Sequence, residues 1–195
     1  MDGNVSVNAD FVNCTYTLLP DGKVFPYKGG NFTVTVTAAG LKSCPAPVIY
    51  ENHDWLTTTV LNWTGTRGRV KLTTFGNPSS LTRSAAVLIG GALFAVQQDG
   101  TPCAVTKITP INKFFSGEGG TSSFTAIISA PDCAWAIYNP FNWIHVNPEG
   151  GEGTASIAYT VDANSIGLAR GGYIDVILAD TEPPKKKTFR IRQNP

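Results

Sequence analysis

The sequence predicts an all-β chain built as two tandem β-sandwich domains of about seven strands each. The first of three supporting observations is a duplication. Cys14 and Cys44 lie thirty residues apart, and so do Cys103 and Cys133. The second is period-two alternation, in which apolar and polar residues take turns along short, β-branched segments. The third is punctuation: 20 glycines and 13 prolines cut the 195 residues into short pieces, and no segment of helical length keeps a 3.6-residue apolar period.

Residues 1–13 have no counterpart within the second copy. They are read as an N-terminal extension of a first domain spanning residues 1–99, either an added edge strand or the end of a preceding module. Phe32, Val34 and Val36 alternate with Thr33, Thr35 and Thr37, which predicts a half-buried strand; Val70 and Leu72 alternate with Arg69, Lys71 and Thr73 in the same way. Val87 to Ile89, the pair Gly90-Gly91, and Leu93 to Gln98 read as a hairpin, because a two-residue turn needs positive φ and glycine adopts it without steric penalty. Gln98 to Pro102 is a short linker, and a second domain spans residues 100–195.

That second copy repeats the landmarks. Trp143 follows Cys133 much as Trp55 follows Cys44, and Asn164 and Arg170 repeat the six-residue step of Asn77 and Arg83. Gly119-Gly120 matches Gly29-Gly30, and Gln193 closes the copy as Gln98 closes the first. Ala155, Ile157, Tyr159 and Val161 alternate with Ser156, Ala158 and Thr160, predicting another strand. Tyr173 to Leu178 and Phe189 to Gln193 form the second hairpin, with a longer polar turn from Asp180 to Lys187. A period of about 88 residues exceeds that of solenoid repeats and matches a small domain.

Charge and hydropathy exclude several classes. The net charge is +1, from 15 basic and 14 acidic residues, with no basic stripe, so nucleic acid is not an expected partner. The cluster Lys185-Lys186-Lys187 beside Pro183-Pro184 reads as a solvated turn, with an anion or anionic-glycan contact as the lesser reading. The longest apolar run, Ala85 to Val96, is broken by Gly90-Gly91, so no membrane insertion is expected. Met1 to Asn4 lacks the features of a signal peptide.

The repeat favours the pairs Cys14–Cys44 and Cys103–Cys133 among the three pairings that four cysteines allow. The alternative is four free buried thiols in a reducing compartment. Disulfides would point to an extracellular or cell-surface chain, as a mature protein or segment lacking its signal peptide, or to a virion protein.

Cys133-Ala134-Trp135, Asn142-Trp143-Ile144, Gly153-Thr154-Ala155, Val161, Asn164, Arg170-Gly171 and Gln193 together resemble the BACON domain, the Bacteroidetes-associated carbohydrate-binding, often N-terminal module. The first copy resembles it through Cys44, Trp55-Leu56, Gly68, Asn77, Arg83 and the run from Ala85 to Gln98, but has Pro45-Ala46 where the second has Ala134-Trp135. The resemblance implies immunoglobulin-like sandwiches and a secreted or surface setting. Four sequons, at Asn4, Asn13, Asn31 and Asn62, are then read as chance features of a threonine-rich sequence.

No nucleophile elbow, paired glycosidase carboxylates or metal-ligand cluster is present in the sequence, so neither catalysis, a metal nor a cofactor is expected. Glycan binding would use aromatic faces with nearby amides, acids or hydroxyls. Trp55 and Trp143 hold the repeated position and read as core, and Trp135 as packing on its disulfide. Trp63 with Arg67, in a turn-like stretch, and Tyr138, Asn139 and Asn142, in a polar-aromatic loop, are the candidate ligand-binding residues. The expected function is a non-catalytic extracellular or surface-displayed module for binding or adhesion, with a glycan or glycoprotein as favoured ligand. The alternative is a spacer within a larger multidomain protein, or a subunit of a filament or virion that self-associates through strand edges.

Overall fold

A computed structural model describes residues 13–178 and 185–195. Every regular element among the described residues is a β-strand, and the chain divides into two compact units. The first holds the chain up to Asn77 together with Thr82–Asp99; the second holds Pro78–Leu81 and Gly100–Pro195. The N-terminal extension (apart from Asn13), residue 179, and residues 180–184 of the long polar turn lie outside the described residues.

In the first unit the strands are β1 (Thr15–Leu19), β2 (Gly22–Phe25), β3 (Gly30–Ala39), β4 (Ile49–Tyr50), β5 (Leu56–Leu61), β6 (Arg67–Thr74), β7 (Arg83–Ile89) and β8 (Ala92–Gln98). They form two four-stranded sheets, β1-β3-β6-β5 and β2-β8-β7-β4. All pairs are antiparallel except β2 with β8. Two sheets with this strand order make an immunoglobulin-like sandwich. Among the described residues the count is eight rather than the expected seven because the first strand is split. At Pro20-Asp21 the chain leaves one sheet and joins the other as β2. Proline has no N–H for a ladder, which suits such a crossing point.

The second unit repeats the plan with β9 (Val105–Thr109), β10 (Asn112–Phe115), β11 (Gly120–Ile128), β12 (Ala134–Tyr138), β13 (Ile144–Asn147), β14 (Gly150–Glu152), β15 (Ala155–Val161), β16 (Arg170–Leu178) and β17 (Lys186–Gln193). Its sheets are β13-β15-β11-β9 and β10-β17-β16-β12-β14. Among the described residues nine strands replace the expected seven. The first strand is split at Pro110-Ile111, and β14 adds an edge beside β12. The long turn is also shorter than expected: Lys186 and Lys187 belong to β17 and pair with Ile177 and Val176.

The alternation read from the sequence is the division between core and solvent. Val34, Val36, Val70 and Leu72 are buried in the first unit, and Ile157, Tyr159 and Val161 in the second. Burying each such side chain contributes about 1.5–3 kcal/mol. The Gly90-Gly91 turn joins β7 to β8 with φ of 59° and 84°, the double positive-φ turn that matches strand twist. Both disulfides are present, Cys14–Cys44 and Cys103–Cys133, with Cα separations of 5.9 and 5.6 Å.

Candidate functional site

The repeated polar landmarks form a knot at one end of each sandwich. In the first unit the Arg83 guanidinium stacks 4.3 Å above the Trp55 ring and donates through Nε to Gln98 Oε1 at 2.9 Å. Its other nitrogen reaches the carbonyls of Phe75 and Gly76, and the buried Gln98 amide donates to the carbonyls of Pro26 and Phe75. In the second unit Arg170 lies 4.2 Å above Trp143, donates to Gln193 at 2.8 Å, and reaches the carbonyls of Asp162 and Ala163. Arginine and glutamine, far apart in sequence, thus converge on the same loop carbonyls, with the tryptophan ring beneath the guanidinium. Trp55 and Trp143 are half-buried parts of this framework.

Trp63 and Trp135 also have framework roles. Trp135, on β12, is buried and its indole N–H donates to Gly153 O at 2.9 Å. A side chain at Gly151 would meet the ring at 2.9 Å, so glycine is needed beneath it. Trp63 lies half-buried in the β5–β6 connection, packs on the first core and on Tyr16, and donates to Cys44 O at 2.8 Å. The two indoles therefore bridge the same pair of segments, the stretch after the second cysteine and the connection before β6 or β15. They do so from opposite ends. Arg67 is exposed and lines a shallow concavity of 370 Å³ with Asn62, Thr64 and Arg69; Trp63 is not part of that lining.

Tyr138 is 49% exposed at the end of β12, on the outer face of its sheet. It lines a concavity of 360 Å³ with Asn139, His145 and Glu149. Asn139 shapes the loop: its amide donates to Ile144 O at 2.7 Å and its oxygen accepts the Phe141 N–H. Asn142 is exposed and does not line the concavity.

The sequence reading missed Tyr50. In the ladders, Ile49 faces Ile89 and Tyr50 faces Leu88, while Ile137 faces Val176 and Tyr138 faces Asp175. Counting from Arg83 and Arg170, Leu88 and Asp175 are equivalent, so the two tyrosines hold one register position in their respective units. Tyr50 is 65% exposed beside a groove of 540 Å³ whose floor is Ala86, Leu88 and Leu93 and whose rim carries Glu51 and Asn52. The Glu51 carboxylate is oriented by the His53 backbone N–H at 3.2 Å. The shared tyrosine was hidden because β4 is only two residues long, too short for alternation to register.

Among solved structures, the chain is similar to titin A168–A169 at 13% identity and TM-score 0.45, covering 88% of this chain and 94% of that one. It is also similar to the titin domains Z1Z2 in complex with telethonin, at 12% identity and TM-score 0.38, covering 93% and 95%. A third similarity is to the Bacteroides ovatus GH5 xyloglucanase in complex with a XXXG heptasaccharide, at 18% identity and TM-score 0.39. That alignment covers 45% of this chain and spans only 18% of the enzyme's length. No curated protein matches the chain. The family match falls on the unit with the longer outer sheet: residues 134–194, from β12 through β17, match the BACON family, described as "Putative binding domain, N-terminal".

Proposed function

We propose that the protein is a non-catalytic, extracellular or surface-displayed binding module whose ligand is a glycan, held at the outer-face tyrosine of each unit. One observation carries this reading. A solvent-facing tyrosine recurs at the same register in both units, and each time it borders a concavity carrying a carboxylate and an amide. An aromatic ring and aliphatic floor suit the C–H face of a pyranose, and Glu51 with Asn52, or Glu149 with Asn139, suit its hydroxyls. The binding-domain family match and the two disulfides, which belong in oxidising compartments, support the same reading.

A glycan array with the intact protein, followed by titration of any hit, tests it. Tyr50→Ala or Tyr138→Ala is expected to weaken binding at its own unit about tenfold, the equivalent of one lost aromatic contact. Absence of any glycan ligand, or a hit indifferent to both substitutions, would count against the proposal.

The structural reading has its own supporting observation. β5 is an edge strand of six residues, Leu-Thr-Thr-Thr-Val-Leu, without charge or proline. Such edges accept further strands. Its counterpart β13 has four residues, carries His145 paired with Asp162 at 3.0 Å, and is followed by Pro148. Sedimentation velocity of the intact protein and of Thr59→Lys would reveal assembly through this edge as a loss of larger species in the variant.

A further inference from the structure

The outer face of β17 is polar and cationic. Alternation sends Phe189, Ile191 and Gln193 into the core and leaves Lys186, Thr188, Arg190 and Arg192 on the outside. Lys186 is matched by Asp175, whose carboxylate it meets at 2.6 Å and which also accepts from Thr188. Arg190 and Arg192 are exposed, and neither guanidinium has an ion-pair or hydrogen-bond partner among the described residues. Being two residues apart on one strand, they sit roughly 7 Å from each other along it.

Their neighbours complete a platform. Arg190 stands between Asn112 of β10 and Tyr173 of β16. Arg192 stands between Phe114, which is 65% exposed, and Gly171, which has no side chain to cover the sheet. Two uncompensated forks that can each grip a carboxylate or sulfate in a bidentate manner therefore lie beside an exposed ring and an open strip of backbone.

We propose that this face binds an acidic polysaccharide laid along β17, with Arg190 and Arg192 taking its carboxylate or sulfate groups and Phe114 packing on a sugar ring. The ligand class rests on the glycan reading above; the site does not, since neither Tyr50 nor Glu51 is part of it. Charge complementarity selects an acidic chain. A nucleic acid is disfavoured, because its affinity comes from many neutralised phosphates, and the platform argued here offers two guanidinium groups. The first unit provides an internal control. Its β8 has Ala95 and Gln97 at the positions of Arg190 and Arg192, and Val24 of β2 occupies the place of Phe114.

Affinity electrophoresis of the intact chain in gels containing polygalacturonate, dextran sulfate, neutral dextran or a single-stranded oligonucleotide tests the proposal. Retardation is expected by one or both acidic polysaccharides, the two arms separating carboxylate from sulfate recognition, and it should weaken as salt is added. Arg190→Ala/Arg192→Ala should reduce the affinity at least about tenfold, while Lys42→Ala, which removes an exposed cation of the first unit, leaves it unchanged. Folding of the double variant is checked by its thermal transition. Equal retardation of the native and double-variant proteins, equal retardation by neutral dextran, stronger binding of the oligonucleotide, or no retardation at all would each overturn it.

Discussion

Strands β8 and β17 are the same strand on one side and different strands on the other. Inward, Phe94, Val96 and Gln98 match Phe189, Ile191 and Gln193, all buried. Outward, Leu93, Ala95 and Gln97 hold the positions that Thr188, Arg190 and Arg192 hold in the second unit. The adjoining strands follow suit, with Leu88 on one outer face and Asp175 on the other. The inward half must fill a fixed space and satisfy fixed carbonyls, so few residues serve. The outward half meets water and is free to diverge.

The comparison is most severely tested at the two displaced tryptophans. Trp135→Ala should destabilise the second unit by about 3–5 kcal/mol, and Trp63→Ala should destabilise the first by less, because its ring is only half-buried. Scanning calorimetry, which can resolve the two units as separate transitions, gives both values. A silent Trp63→Ala would break the equivalence of the two indoles.

Removing a disulfide ranks next. Serine at Cys14 and Cys44, or at Cys103 and Cys133, should lower the transition of the affected unit by about 3–4 kcal/mol, the same for both because the closed loops are equal in length. Unequal losses would mean that native packing around the bridges, rather than chain entropy, dominates.

The end knots should respond alike. Arg83→Met and Arg170→Met keep much of the stacking on tryptophan but lose the hydrogen bonds to glutamine and carbonyls. Each should cost about 1–3 kcal/mol, read from urea unfolding followed by tryptophan fluorescence. By contrast, Arg190→Ala and Arg192→Ala should move stability by less than about 0.5 kcal/mol, as ordinary surface changes do.

The smallest effect is electrostatic and local to the second unit. The Ser79 hydroxyl and the Ser80 backbone N–H donate to the Asp132 carboxylate and hold its pKa below the usual carboxylate range. Its contribution is therefore present above the unfolded value of about 3.9 and is lost as pH falls through the lower folded value. Between pH 5 and the acid limit, the second transition of the native protein should fall slightly more steeply than that of Asp132→Asn.

Much of the framework was legible in the sequence. Doubled cysteines, alternating strands and the Gly90-Gly91 turn are local or periodic signals, and each found its place in the structure. Trp63 is half-buried rather than exposed; a tryptophan in a turn-like stretch looks exposed until its partner carbonyl, Cys44 O, is known. Each copy has one tryptophan that the other lacks, and that complementary absence was the available clue. Tyr50 went unseen because a two-residue strand carries no period.

The sequence by itself determined the composition of the two cores, the sulfur bridges and the unit that is repeated, because burial imposes a pattern every second residue and a crosslink needs only two cysteines in register. Only the tertiary structure decided which outward side chains stand together. Tyr50 beside Leu88 and Leu93, and Arg190 and Arg192 beside Phe114 and Gly171, are neighbours through strand pairing. Pairing brings distant segments to within about 5 Å of each other and leaves no trace in the spacing of either one.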